Sequence, residues 1–97
     1  MAQVTVTIKV SAKAEKVYIV GSTKNLGEWD PKKAVEVKDG QVNKKFDADT
    51  VVEFKVLSAK TWDAVEKGAN GEELENHKFT ASQAVKEFEV VVDNFAA

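Results

Sequence analysis

Hydrophobic and polar residues alternate along much of this chain. From Val4 to Val10, the apolar positions Val4, Val6, Ile8 and Val10 are separated by Thr5, Thr7 and Lys9, the two-residue period of a strand with one buried face. Lys16 to Val20 is rich in β-branched and aromatic residues and stops at Gly21, which predicts a second strand. Ala34 to Lys38 and Gln41 to Phe46 flank Asp39-Gly40, a dipeptide suited to the positive φ angles of a tight turn, so these two strands are expected to pair as a hairpin. Thr50 to Leu57 places Val52, Phe54 and Val56 on a core face, with Val51, Glu53, Lys55 and Leu57 on a more exposed one. Leu74 to Thr80 follows Asn70-Gly71, and Ala84 to Asp93 closes the series with Phe88, Val90 and Val92 on one side. Helical periods over Ala12 to Lys16 and Lys60 to Lys67 are too short and broken to compete. The expectation is an all-β, antiparallel, immunoglobulin-like β-sandwich of about seven strands.

A chain of 97 residues is the size of one domain, and no repeat, linker or low-complexity tract divides it, so residues 1–97 are read as one β-sandwich domain. No apolar run is long enough to cross a bilayer, which argues against a membrane partner. The net charge is −2 and the lysines are scattered among glutamates, whereas a nucleic-acid partner requires concentrated positive charge. The absence of cysteine excludes disulfides and thiolate metal sites. The amino terminus enters a strand pattern at once, and no signal peptide is read in it.

Two segments depart from the strand pattern. Ser22 to Lys33 is a long connection for a compact β domain, and it carries Trp29. Gly27 permits a sharp bend just before that tryptophan, while Pro31 fixes its own φ and favours an extended Asp30. Ser58 to Asn76 sets Trp62 among Asp63, Glu66, Asn70, Glu72, Glu73, Glu75 and Asn76. Tryptophan often plugs a sandwich core, but neither indole here lies in an alternating apolar run. An exposed indole among polar groups suits a sugar, whose C–H face matches the ring and whose hydroxyl edge matches amides, carboxylates and ammonium groups.

Catalytic and metal chemistry find little footing. A glycosidase needs two carboxylates across a cleft, and so small a domain offers no obvious cleft. His77 is the sole histidine and has neither a cysteine nor a neighbouring serine with which to form a triad. Glu72, Glu73 and Glu75 lack the spaced Asp/Asn loop and central glycine of a calcium site. No enzyme activity, cofactor or metal is expected.

The run Val17-Tyr18-Ile19-Val20-Gly21-Ser22, then Asn25-Leu26-Gly27-Glu28-Trp29-Asp30-Pro31-Lys32-Lys33-Ala34-Val35, resembles the family 20 carbohydrate-binding modules, the starch-binding domains of amylolytic enzymes. Glu53-Phe54-Lys55-Val56, Trp62-Asp63 and Asn76-His77-Lys78-Phe79-Thr80 resemble later parts of the same pattern, so residues 17–80 carry the likeness. The resemblance implies a noncatalytic module that stacks starch, a maltooligosaccharide or a cyclodextrin on Trp29 and Trp62. Lys55 and an asparagine would take the hydroxyls, with Asn76 preferred over Asn70, and Asp63 stands where the family commonly has glutamate. The lysine-to-tryptophan interval is short and the tryptophan-to-asparagine interval is stretched by residues 64–75. A second site in many relatives uses tyrosines, and Tyr18 alone, set in a strand, implies one site here. The resemblance further implies an extracellular, monomeric module that is covalently part of a larger enzyme. The alternatives are an immunoglobulin-like spacer or protein-interaction module of a multidomain protein, and a glycogen-targeting module of an intracellular regulator.

Overall fold

The computed structural model describes residues 2–82 and 86–95. Nine strands follow in order: β1 (Gln3–Ser11), β2 (Tyr18–Gly21), β3 (Val35–Glu36), β4 (Gln41–Asp47), β5 (Val51–Leu57), β6 (Glu66–Lys67), β7 (His77–Thr80), β8 (Glu87–Val91) and β9 (Asn94–Phe95). No α-helix occurs among the described residues, and three single 3-10 turns sit in the loops. One sheet has the order β4-β1-β8, a second β3-β2-β5-β7, and β6 pairs β9 as a small third. Among the described residues, no helix is long and apolar enough to cross a membrane.

The alternation in β1 buries Val4, Val6, Ile8 and Val10 against the inner face of the second sheet, where Ile19, Val52, Phe54, Val56 and Phe79 meet them. Phe54 makes edge-to-face contacts with Phe79 at 6.3 Å and Phe88 at 5.8 Å, and Phe46 meets Phe79 edge-on at 5.7 Å. Such arrangements add favourable quadrupole contacts to the area each ring buries. The all-β sandwich expected from the strand periods is the fold observed. Pairing is antiparallel throughout the described strands except between β1 and β8, which run parallel with Ile8 opposite Phe88 and Val10 opposite Val90.

Three expectations are corrected. The Asp39-Gly40 turn forms, with φ of 55° and 76°, but it closes only the bridge between Lys38 and Gln41. β3 pairs with β2 while β4 pairs with β1, so the turn carries the chain from one sheet to the other instead of closing a hairpin. The reason is that each flank finds its partner elsewhere: Val37 N–H donates to Val17 O at 2.8 Å, and Val42 and Phe46 reach the core only when β4 lies beside β1. Leu57, assigned to the exposed face of β5, is fully buried. It forms a second apolar cluster with Val20 and Ala34, flanked by Tyr18 and Val65, because two loops fold over the outer face of β2 and β5. The strand expected from Leu74 is confined to His77–Thr80. The strand expected over residues 84–93 is observed as Glu87–Val91, and residues 84 and 85 lie outside the described residues.

Candidate functional site

The two covering loops carry the two tryptophans. The first leaves β2 at Gly21, forms a 3-10 turn over Lys24–Leu26 and plugs Leu26 into the core. Gly27 then takes φ 90°, and Glu28 and Trp29 follow at 50° and 64°. Left-handed φ is disfavoured for side chains other than glycine, asparagine and aspartate, most of all for bulky ones, so Trp29 is held against its backbone preference. The restraints are visible: Trp29 N–H donates to Gly21 O at 2.9 Å and Glu28 N–H to Thr23 O at 3.0 Å. Gly21 has no room for a side chain, since a Cβ there would lie 2.5 Å from Glu53 O. Beyond Trp29, Asp30 is extended and its Oδ1 accepts the Lys32 N–H at 3.0 Å, capping the 3-10 turn Pro31–Lys33. Asn25 ties the loop to β4 by donating from Nδ2 to Lys45 O at 2.7 Å.

The second loop leaves β5 after Leu57. Thr61 Oγ1 accepts the Asp63 N–H at 3.3 Å and so caps a 3-10 turn over Trp62–Ala64. Ala64 is buried, and its carbonyl accepts the Ser58 N–H at 3.0 Å, which pins the turn to the end of β5. Trp62 projects from this turn and is 41% exposed.

The indoles meet with ring centroids 6.4 Å apart and planes inclined by 33°. Trp29 is half-buried, not the exposed ring the sequence suggested, and its neighbour supplies part of the cover. Together they line an open groove of about 470 Å³ whose rim also includes Lys55 and Asn76. Lys55 shares the outer face of β5 with Leu57, and its ammonium donates to Leu74 O at 2.6 Å. Two of its three N–H donors therefore stay free for other acceptors. Asn76 lies just before β7, and its Nδ2 donates to Glu53 Oε1 at 3.5 Å, a long bond that leaves the amide available.

Four of the six residues singled out in the sequence thus converge on one groove: Trp29, Lys55, Trp62 and Asn76. Asp63 and Asn70 do not line it. Asp63 is exposed on the 3-10 turn, and Asn70 sits in a turn where its own N–H donates to Glu72 Oε1 at 3.0 Å.

The structure adds groove residues that sequence reasoning did not select, among them Val65, Glu66, Lys67 and Glu73. Glu66 is the buried charged residue among the described residues, at 1% exposure. Its Oε1 accepts the Val56 N–H at 3.0 Å and its Oε2 receives His77 Nε2 at 2.8 Å. β7 does not extend along β5 past Phe54, so the carboxylate takes the place of the missing strand and satisfies an otherwise orphaned backbone donor. No signal in the neighbouring sequence marks Glu66, because its burial is set by a backbone donor on β5 that the end of β7 leaves uncovered. No cluster of three or more potential metal-binding side chains occurs among the described residues.

A family model described as a starch binding domain matches residues 2–91. The fold is similar to that of a glycoside hydrolase family 15 glucoamylase from Hypocrea jecorina, with a TM-score of 0.71 and 19% identity. That match covers 97% of this chain and 18% of the glucoamylase, so this chain spans less than a fifth of that enzyme's length. A gamma-CGTase from alkalophilic Bacillus clarkii matches over 93% of this chain and 15% of its own, at a TM-score of 0.63 and 23% identity. The family 20 carbohydrate-binding module of the maltotetraose-forming amylase from Pseudomonas saccharophila STB07 matches over 91% of this chain and 99% of its own, at 0.61 and 18%. At such identities the likeness speaks for the fold. No curated protein matches the chain in sequence.

Proposed function

The chain belongs to the starch-binding domain family of noncatalytic modules, and from that premise we propose that it binds single α-glucan chains by stacking glucose units on Trp29 and Trp62. The observation that carries this reading is the indole pair, tilted by 33° at 6.4 Å within one groove that also holds Lys55 and Asn76. An inclined pair of flat faces suits the curved side of an α-1,4-linked chain better than a flat β-linked ribbon. The ammonium of Lys55 donates to sugar hydroxyls and the amide of Asn76 both donates and accepts. Asp63 and Asn70, which the family pattern also suggested, have no part in this arrangement.

The groove is open and the contact small, so the dissociation constant is expected at about 10 μM to 1 mM, or about −7 to −4 kcal/mol. Such affinity is enough for an appendage. Tethered to an amylolytic catalytic domain in a secreted or cell-surface protein, a monomeric module of this kind raises the local concentration of substrate around the enzyme.

Titration with maltoheptaose and β-cyclodextrin, followed by tryptophan fluorescence, tests the proposal. Saturable quenching that disappears in both Trp29→Ala and Trp62→Ala supports it. A folded wild-type domain with no response at millimolar ligand refutes it.

A further inference from the structure

The segment from Glu66 to Leu74, inserted between the tryptophan turn and β7, forms much of the groove's polar lining. Resting on the glucan reading above, we propose that this segment is a built binding wall, in which Lys67 and Glu73 together hold a vicinal diol of a glucose unit stacked on the tryptophans. Three features carry the proposal.

The wall is fixed before any ligand arrives. Glu66 clamps it to β5 and β7 as described, and Leu74 O is held by Lys55 at 2.6 Å. On its far side, β6 pairs with β9, and Asn94 Nδ2 donates to both Gly68 O and Ala69 O at 3.0 Å. Preorganisation of this kind lowers the ordering cost of binding.

Lys67 and Glu73 face each other across the bridge they form, with Nζ and Oε1 3.9 Å apart. The pair contributes little to folding, because the Glu73 side chain is 92% exposed and exposed ion pairs are weak. Lys67 differs, since its side chain is only 22% exposed and lines the groove.

The chemistry matches. An ammonium offers only donors and a carboxylate only acceptors, so a neighbouring pair of the two satisfies one hydroxyl as acceptor and the next as donor. An α-1,4-linked glucose unit keeps its 2- and 3-hydroxyls free as such a pair. The stacked ring supplies the apolar half of the same recognition.

The test pairs protein variants with a ligand variant. Wild type, Lys67→Gln and Glu73→Gln are titrated with β-cyclodextrin and with β-cyclodextrin methylated at its secondary hydroxyls, and Glu75→Gln, which lies outside the groove lining, serves as control. Each groove variant is expected to weaken binding of the unmodified ring by about 3- to 10-fold, the loss of one hydrogen bond. The penalty for methylation should shrink by a similar factor in those variants and stay at the wild-type value in Glu75→Gln. A role confined to propping up the loop leaves the methylation penalty equal in all four proteins, and that result overturns the proposal. Failure of the wild type to bind either ring instead refutes the glucan reading itself, so the two failures are told apart.

Discussion

On the inner face of β5, Val52, Phe54 and Val56 are sealed between two sheets by side chains of their own kind. On the outer face, Leu57 is just as completely buried, yet its cover consists of Val20, Ala34, Tyr18 and Val65, brought there by a sheet neighbour and two loops. Two residues earlier on that same face, Lys55 opens onto the groove. The inner layer makes the fold, and the outer layer makes the groove by folding loops onto a small apolar footing. Ala34 directly follows the turn after Trp29, and Val65 directly follows the turn of Trp62, so both tryptophan loops are seated on the cluster around Leu57. Burial on the outer face therefore serves the geometry of the indoles as much as stability.

This contrast can be broken at four positions. Phe54→Ala should lose about 3 to 5 kcal/mol of stability, the usual cost of emptying an aromatic core site, as read by urea denaturation. Its folded fraction should still bind maltoheptaose with wild-type affinity. Leu57→Ala is expected to cost about 2 to 4 kcal/mol and, unlike the first variant, to weaken sugar binding as well, because the cavity lies beneath both loops. A cost near zero would show that the outer cluster is not a core. Trp62→Ala should reverse the pattern, with affinity for maltoheptaose reduced by at least about 2 kcal/mol in calorimetric titration while the unfolding midpoint hardly moves. Lys55→Met, which keeps the stem and removes the ammonium, should cost about 1 kcal/mol in stability through the lost bond to Leu74 O, and weaken binding by about 3-fold. Loss of that bond also frees Leu74, so hydrogen exchange of the neighbouring amides should accelerate in this variant.

Much of the inner layer was legible in the residue pattern. The alternation in β1 and the first part of β5 is a period-two signal that burial of one face imposes directly on the sequence. The loop position of Trp29 was legible too, because Gly27 before it permits a sharp bend and Pro31 after it fixes a φ, but its half-buried state was not. What escaped was set by distant partners. Asp39-Gly40 encodes its own turn but says nothing of which sheet either flank will join. Leu57 sits at a position that alternation assigns to solvent, and only the return of residues from two loops removes it from water. The parallel pairing of β8 with β1 leaves no local mark, and β6 and β9 are two residues each, too short to register as a period. Glu66 looked like one more acid in a polar loop. Its burial depends on the backbone donor that β7 leaves unpaired on β5, which no pattern in its own neighbourhood can announce.

The run of left-handed residues at Gly27, Glu28 and Trp29 has an evolutionary corollary. The main chain at position 29 would be more at ease with asparagine or glycine than with an aromatic. An indole persists at such a spot only while something selects for it, and a descendant that abandoned the groove would let this position drift early. Its relaxed backbone would then be sturdier than that of its working ancestor.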